Sequence, residues 1–280
     1  MKISTFYHIY FKHRFMKANV FLKIYLFFTF PWKFFIFKIF SEKKINLENL
    51  EIRNSNLLNL SLNDLCEHFN SDKGSFFFNQ FARSRKKEKI QGHQYAFFYD
   101  KYFKDIKNHE LNILELGSWK GGGAAAFSFF FKKSKIYSGD LYPDIFNFYS
   151  KRITNFKIDT SSEHSINKFV EKNNLEYDII VEDAGHFLKD QIISLFLLFK
   201  TLRSNGTFVI EDLDFPDTRQ DMNIFNEKPT LRQILHYVIN KQDFFSKYIS
   251  NSYKEYFLKN FDSIEIYKGR TNEIAFIKKK

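Results

Sequence analysis

Cysteine is almost missing from this chain of 280 residues: Cys66 stands alone. That excludes an intrachain disulfide and any site built on several thiolates, and it suits folding in a reducing compartment. Acid is missing from residues 1–40, which carry six Lys and one Arg, so +7 of the formal net charge of +11 sits in the tail. The other 240 residues carry only +4, and they hold no aromatic-basic recognition module, so nucleic acid is not the favoured partner. An uninterrupted apolar run of about 20 residues, the usual requirement for a spanning helix, is also missing. Residues 18–40 are strongly apolar, but Lys23, Lys33, Lys38 and Pro31 break them up. No small-residue cleavage site follows them, which argues against a secretory signal. A basic aromatic helix lying at an anionic cytoplasmic surface fits this segment, with Trp32 and Tyr25 suited to the interface. Packing on the domain or on a partner subunit is the competing expectation.

What is present reads in three parts: a basic apolar tail over 1–40, a linker and helical cap over 41–110, and an alternating domain over 111–280. In the cap, Leu60–Phe69 has helical spacing with Ser61 as its cap, and NSDKG (Asn70–Gly74) breaks it. The basic run Arg83–Lys89 reads as a solvated loop, and His93–Phe103 as an aromatic helix. From Asn112 the chain alternates: strands at Asn112–Gly117, Lys135–Asp140, Ile153–Asp159, Tyr177–Asp183 and Thr207–Leu213, with helices best seen at Ser162–Asn173 and Asp190–Leu202. Such units predict a mainly parallel α/β sheet covered on both faces. Acids or glycines fall at each strand's carboxyl end, the edge where these sheets bind ligands. Pro229–Asn240 reads as a helix, and Asp262–Lys280 as a terminal hairpin.

The motifs ILELGSWKGGG, YSGD, IVEDAGH with Gln191, and TFVIEDL occur in an order and spacing that resembles the class I S-adenosylmethionine-dependent methyltransferases. More narrowly, they resemble the metal-dependent macrocin and mycinamicin-type sugar O-methyltransferases and the related cephalosporin hydroxylase and rhamnosyl O-methyltransferase group. SDKG and HQYAFFYDKYF look like that group's amino-terminal elements. The resemblance is good over about residues 60–215, thins after 216 and does not reach the tail. It implies a Rossmann-like α/β fold with a mainly parallel seven-stranded sheet and a C-terminal antiparallel hairpin. It also implies S-adenosyl-L-methionine beside Glu115, Gly117 and the Gly121–Gly123 turn, with Asp140 on its ribose. Asp159 is expected on the adenine side or as a helix cap. The glycine turn does not match G-x-G-x-x-G, and a ligand without a pyrophosphate gives it no reason to.

For chemistry, the resemblance implies Asp183, Glu211 and Asp212 as ligands of a divalent metal, Mg2+ being the expected ion, and His186 as the base. Hard oxygen ligands suit magnesium. Where relatives more commonly have two Asp, Gly and Ser before the His, this chain has EDAGH, which moves Glu182 to a supporting role. His93, Tyr99 and Gln191 are expected to touch the substrate or close over it, with packing as the alternative for the aromatics. The resulting expectation is an O-methyltransferase acting on a sugar or glycan acceptor, in surface glycan biosynthesis. It would be cytoplasmic and peripheral at the inner face of the membrane, with self-association left open. The rivals are a methyltransferase for a small natural product and a membrane-associated binding protein without catalysis.

Overall fold

The computed structural model describes residues 1–40, 44–79 and 88–280. Most of the basic run, Arg83 to Lys87, lies outside the described residues.

Seven strands form the central sheet: β1 (Asn112–Leu116), β2 (Lys135–Asp140), β3 (Ile153–Lys157), β4 (Tyr177–Glu182), β5 (Leu202–Ile210), β6 (Phe261–Lys268) and β7 (Glu273–Lys279). Their spatial order is β6-β7-β5-β4-β1-β2-β3. The first five run parallel to their neighbours, while β7 pairs antiparallel with both β5 and β6. This is the class I methyltransferase sheet with its terminal hairpin. Strand order reverses direction beside β1, where β4 lies on one side and β2 on the other, so the crevice for a ligand opens there.

Alternation along the strands supplies two cores. Leu114, Leu116, Ile180, Phe208 and Ile210 join one buried cluster, whereas Ile113, Ile179, Val181 and Val209 join the other. The helices are α1 (Val20–Phe40), α2 (Leu62–His68), α3 (Ala96–Phe103), α4 (Gly122–Phe130), α5 (Glu163–Asn173), α6 (Leu188–Leu198), α7 (Leu231–Ile239) and α8 (Asn251–Asn260), with shorter turns between them. Helices α5 to α8 cover the first cluster, and α2, α3 and α4 cover the second. Ten of the eleven residues of α6 are buried, because α7 and α8 pack over the side that a surface helix would leave wet. Ser61 caps α2 by accepting from the Asp64 N–H, and Thr230 with Gln233 forms a capping box on α7.

Boundaries shift where local bonding outweighs pattern. The fifth strand starts five residues earlier than expected, at Leu202, and stops at Ile210, which leaves Glu211 and Asp212 in the loop beyond it. The helix before it ends at Leu198 and tightens into a single turn over Phe199–Thr201. Register then levels the ligand edge: the Glu211 N–H bonds the Glu182 carbonyl at 3.0 Å, that of Asp183 bonds Leu116 at 3.0 Å, and that of Gly117 bonds Gly139 at 2.8 Å.

Candidate active site

A cavity of about 500 Å³ opens at the ends of β1, β2 and β4, a size suited to a small ligand. Gly117, Gly123, Asp140, Asp159, Asp183 and His186 are among the residues that line it. Gly117 holds φ at +86°, and a Cβ there would stand 1.9 Å from the Asp183 carbonyl oxygen. Only glycine lets the β1 loop pass that close to the β4 loop. Gly121, at φ +88°, precedes α4 and leaves room for the Phe146 ring.

Asp140 is fixed by two backbone donors, Trp119 N–H on Oδ2 at 2.8 Å and Tyr142 N–H on Oδ1 at 2.7 Å. Burial raises its pKa and those two bonds oppose the rise. Each oxygen retains capacity to accept a ligand hydroxyl. Asp159 accepts from the Ser161 N–H and hydroxyl at 3.0 and 2.6 Å while still lining the cavity. The cap of α5 itself is Ser162.

Five acids gather where β1, β4 and β5 end: Glu115, Glu182, Asp183, Glu211 and Asp212. One cation is set into them, and it comes from the cap. Lys73, only 2 % exposed, donates to Asp183 and, at 2.9 Å, to Glu211, with Glu115 at 3.9 Å. Burial alone would lower the pKa of this ammonium, but the Asp183 and Glu211 carboxylates outweigh it and hold Lys73 well above its ordinary value. Its backbone is fastened as tightly, since the Ala96 N–H bonds the Lys73 carbonyl at 2.9 Å and that of His93 bonds Asp72 at 2.7 Å. Tyr99 donates to the other Glu211 oxygen at 2.5 Å. Even so, burial pushes Glu115 up to about 7 and Glu182 up to about 8. A single ammonium is too little positive charge for this group of acids.

Glu211 therefore faces Lys73 and Tyr99, while Asp212 faces a different set of groups. Asp183, His186 and Asp212 each offer a ligand atom, all within 4.8 Å of one another. His186 Nε2 lies 3.6 Å from Asp183 Oδ1 and 3.5 Å from Asp212 Oδ2. Magnesium–ligand bonds of about 2.1 Å would place neighbouring donors about 3.0 Å apart and opposite donors about 4.2 Å apart, so these spacings fit a small divalent ion. Two carboxylates and one imidazole are also a chemically suitable set. Both His186, at φ +55°, and Asp212, at φ +50°, adopt the left-handed backbone region, which costs a side-chain-bearing residue about 1–3 kcal/mol. Asp212 is locked further by Tyr95 and Asn272, which donate to Oδ1 at 2.7 and 3.0 Å.

Of the residues expected over the substrate, Tyr99 and Gln191 are corrected. Tyr99 is 1 % exposed and occupied with Glu211. Gln191 is fully buried and donates to the Asp212 carbonyl at 3.1 Å, bracing that loop from behind. His93 stacks on Tyr95 with ring centroids 5.1 Å apart and lies 3.8 Å from Asp212, at the site's margin. Lys73, Tyr95 and Asn272 were not singled out from sequence. SDKG was the one available signal for Lys73, and it marked a segment without a role.

No family model matches the chain. Among curated proteins it is 28% identical over 128 residues to the demethylmacrocin O-methyltransferase of Streptomyces fradiae, and 27% identical over 128 residues to the mycinamicin VI 2''-O-methyltransferase of Micromonospora griseorubida. Each match covers 43% of this chain and 32% of the relative, so the chain spans about a third of those proteins. Among solved structures it is similar to the MycE methyltransferase of the mycinamycin biosynthetic pathway in complex with Mg and SAH, with a TM-score of 0.59 at 20% identity, covering 79% of this chain and 55% of that one. The complex of the same enzyme that also holds mycinamycin VI gives 0.58 at 19%. The chain thus has the class I methyltransferase fold and is related to the macrocin and mycinamicin group.

Proposed function

We propose that this protein is an S-adenosylmethionine-dependent O-methyltransferase that acts on a sugar hydroxyl with the help of a divalent ion. The observation that carries the reading is the Asp183–His186–Asp212 group on the edge of a cavity whose far side presents Asp140. The relatives' names favour a sugar borne by a small natural product as the acceptor over a surface glycan.

Asp140 would accept the ribose hydroxyls, and Gly117 would let the backbone approach the ligand. Asp183 and Asp212 would hold magnesium. When bound, the ion would lower the pKa of an acceptor hydroxyl and the adenosylmethionine would supply the methyl group. His186 would take the hydroxyl proton as the acceptor oxygen gains the methyl. Lys73 would keep Asp183 turned so that Oδ1 faces His186. Much of the rate would come from alignment, since a single carbon is transferred between two held partners.

The test supplies methyl-labelled S-adenosylmethionine, magnesium or chelator, and a panel of glycosylated natural products, nucleotide-sugars and free glycans. Label should appear on a sugar hydroxyl and vanish with chelator. Intact cofactor binding without transfer to any sugar in the panel would defeat the reading and leave the non-catalytic binding protein in its place.

A further inference from the structure

The amino-terminal 40 residues build a structure of their own. Ile3–Phe6, a π turn over Tyr7–Phe11 and Lys12–Lys17 form one helical arm, and α1 returns alongside it. Phe6, Phe11 and Leu26 make a small core between the arms, with Phe11 and Phe30 edge to face at 4.9 Å and Phe6 5.0 Å from Phe37. That core uses only one stripe of α1. Phe21, Phe27, Phe28, Trp32, Phe35 and Ile39 are all more than half exposed, Phe21 reaching 85 %. Of the most apolar 18-residue stretch of α1, 6 % is buried. Soluble surfaces rarely expose so much contiguous apolar area without something to cover it.

Charge indicates what covers it. Residues 1–40 carry seven Lys and Arg and no acid. Lys23 and Lys33 lie against the rings of Phe15 and of Phe11 and Tyr25 at 5.5–6.0 Å, so their stems run along the apolar body while their heads stay at its rim. A basic, acid-free body with an aromatic face complements an anionic lipid surface. By length and composition α1 could cross a bilayer. Its pairing with an arm that bears Lys12, Arg14 and Lys17 favours lying in the interface, because a crossing would strip that arm from its core. The hairpin is also tied to the catalytic body. The Thr5 hydroxyl donates to Asp144 at 2.8 Å, the Lys2 N–H donates to the other Asp144 oxygen, and His8 stacks on Tyr142 at 6.0 Å. Tyr142 lines the cavity beside Asp140.

We propose that residues 3–40 are a monotopic anchor that seats the protein on an anionic membrane, with the Asp140–Ile145 rim of the cavity held next to that surface. This inference does not depend on the methyl-transfer reading, and its test uses lipid alone. The full chain is sedimented with vesicles of phosphatidylcholine, or of phosphatidylcholine mixed with phosphatidylglycerol. It should pellet only with the mixed vesicles, less so at high salt, and the fluorescence of Trp32 should shift to the blue, a shift absent from Trp32→Phe. Lys12→Glu with Lys17→Glu should cut partitioning at least about 30-fold, two lysines being worth roughly 1 kcal/mol each. Phe21→Ser with Phe28→Ser, both exposed, should abolish it while S-adenosylhomocysteine affinity stays at the parent value. No pelleting, equal pelleting with neutral vesicles, or a soluble dimer that hides Trp32 and ignores lipid would each overturn the proposal.

Discussion

The acid cluster has two halves that differ in how their charge is met. On one side Lys73 and Tyr99 close around Glu211 and one oxygen of Asp183, in a setting almost sealed from solvent. On the other, Asp212 and the second oxygen of Asp183 face His186 across gaps of 3.5 and 3.6 Å, too long for good hydrogen bonds. Internal partners have satisfied the first half. The second has the spacing and the charge of a place that takes its cation from outside, and the two adjacent acids after β5 are divided between the halves.

Substitutions at the open half should have the largest effects. Asp183→Asn and Asp212→Asn should each lower turnover by about 100-fold or more and weaken Mn2+ binding measured by titration calorimetry. His186→Ala should cost a similar amount of turnover, in the 10²–10⁴ range of a lost general base. Its Mn2+ affinity should change less than tenfold. An affinity loss matching that of the aspartate variants would make His186 a ligand and redraw the boundary between the halves.

The closed half should answer in stability. Lys73→Met leaves buried carboxylates without their ammonium and should destabilise the protein by about 3–5 kcal/mol in urea unfolding. Adding Glu211→Gln should recover part of that loss, because one of the stranded charges goes with it. Tyr99→Phe removes a hydrogen bond to a buried carboxylate and should cost about 1.5–3 kcal/mol. The smallest effect belongs to Glu182, whose carboxyl burial and the Asp183 charge push up to about 8 from an ordinary 4.5. Its ionisation costs stability progressively as pH rises between those values. In chelator, Glu182→Gln should therefore gain on the parent between about pH 5 and pH 8, by on the order of 1 kcal/mol.

The open half was more legible in sequence than the closed one. Asp140, Asp183 and Asp212 follow apolar runs that only parallel strands would end that way, and the sheet places them as expected. Glu211 was grouped with Asp212 because they are adjacent. Successive residues of an extended segment point to opposite faces, so adjacency implied separation. Lys73 lies 110 residues before Asp183, and no local pattern reveals a partner that only tertiary packing supplies. Tyr99 has an aromatic helix's spacing, which told its burial but not that its hydroxyl would find Glu211. In the tail, residues 18–40 stood out by apolar content, while the return arm over 3–17 mixes charge and aromatics and gives no equally clear period.

Lys73 also limits how this protein can be divided. The composition of the chain changes near Asn112, and a fragment cut there would keep every strand of the sheet. It would also carry Glu115, Asp183 and Glu211 into the interior with no ammonium among them. A graft of the cap onto a related sheet meets the same demand, because the loop bearing Lys73 must arrive in register with three separate strand ends. The workable seam lies upstream of Ser61, the cap of α2, and the segment from there to Phe103 is inherited with the sheet as one piece.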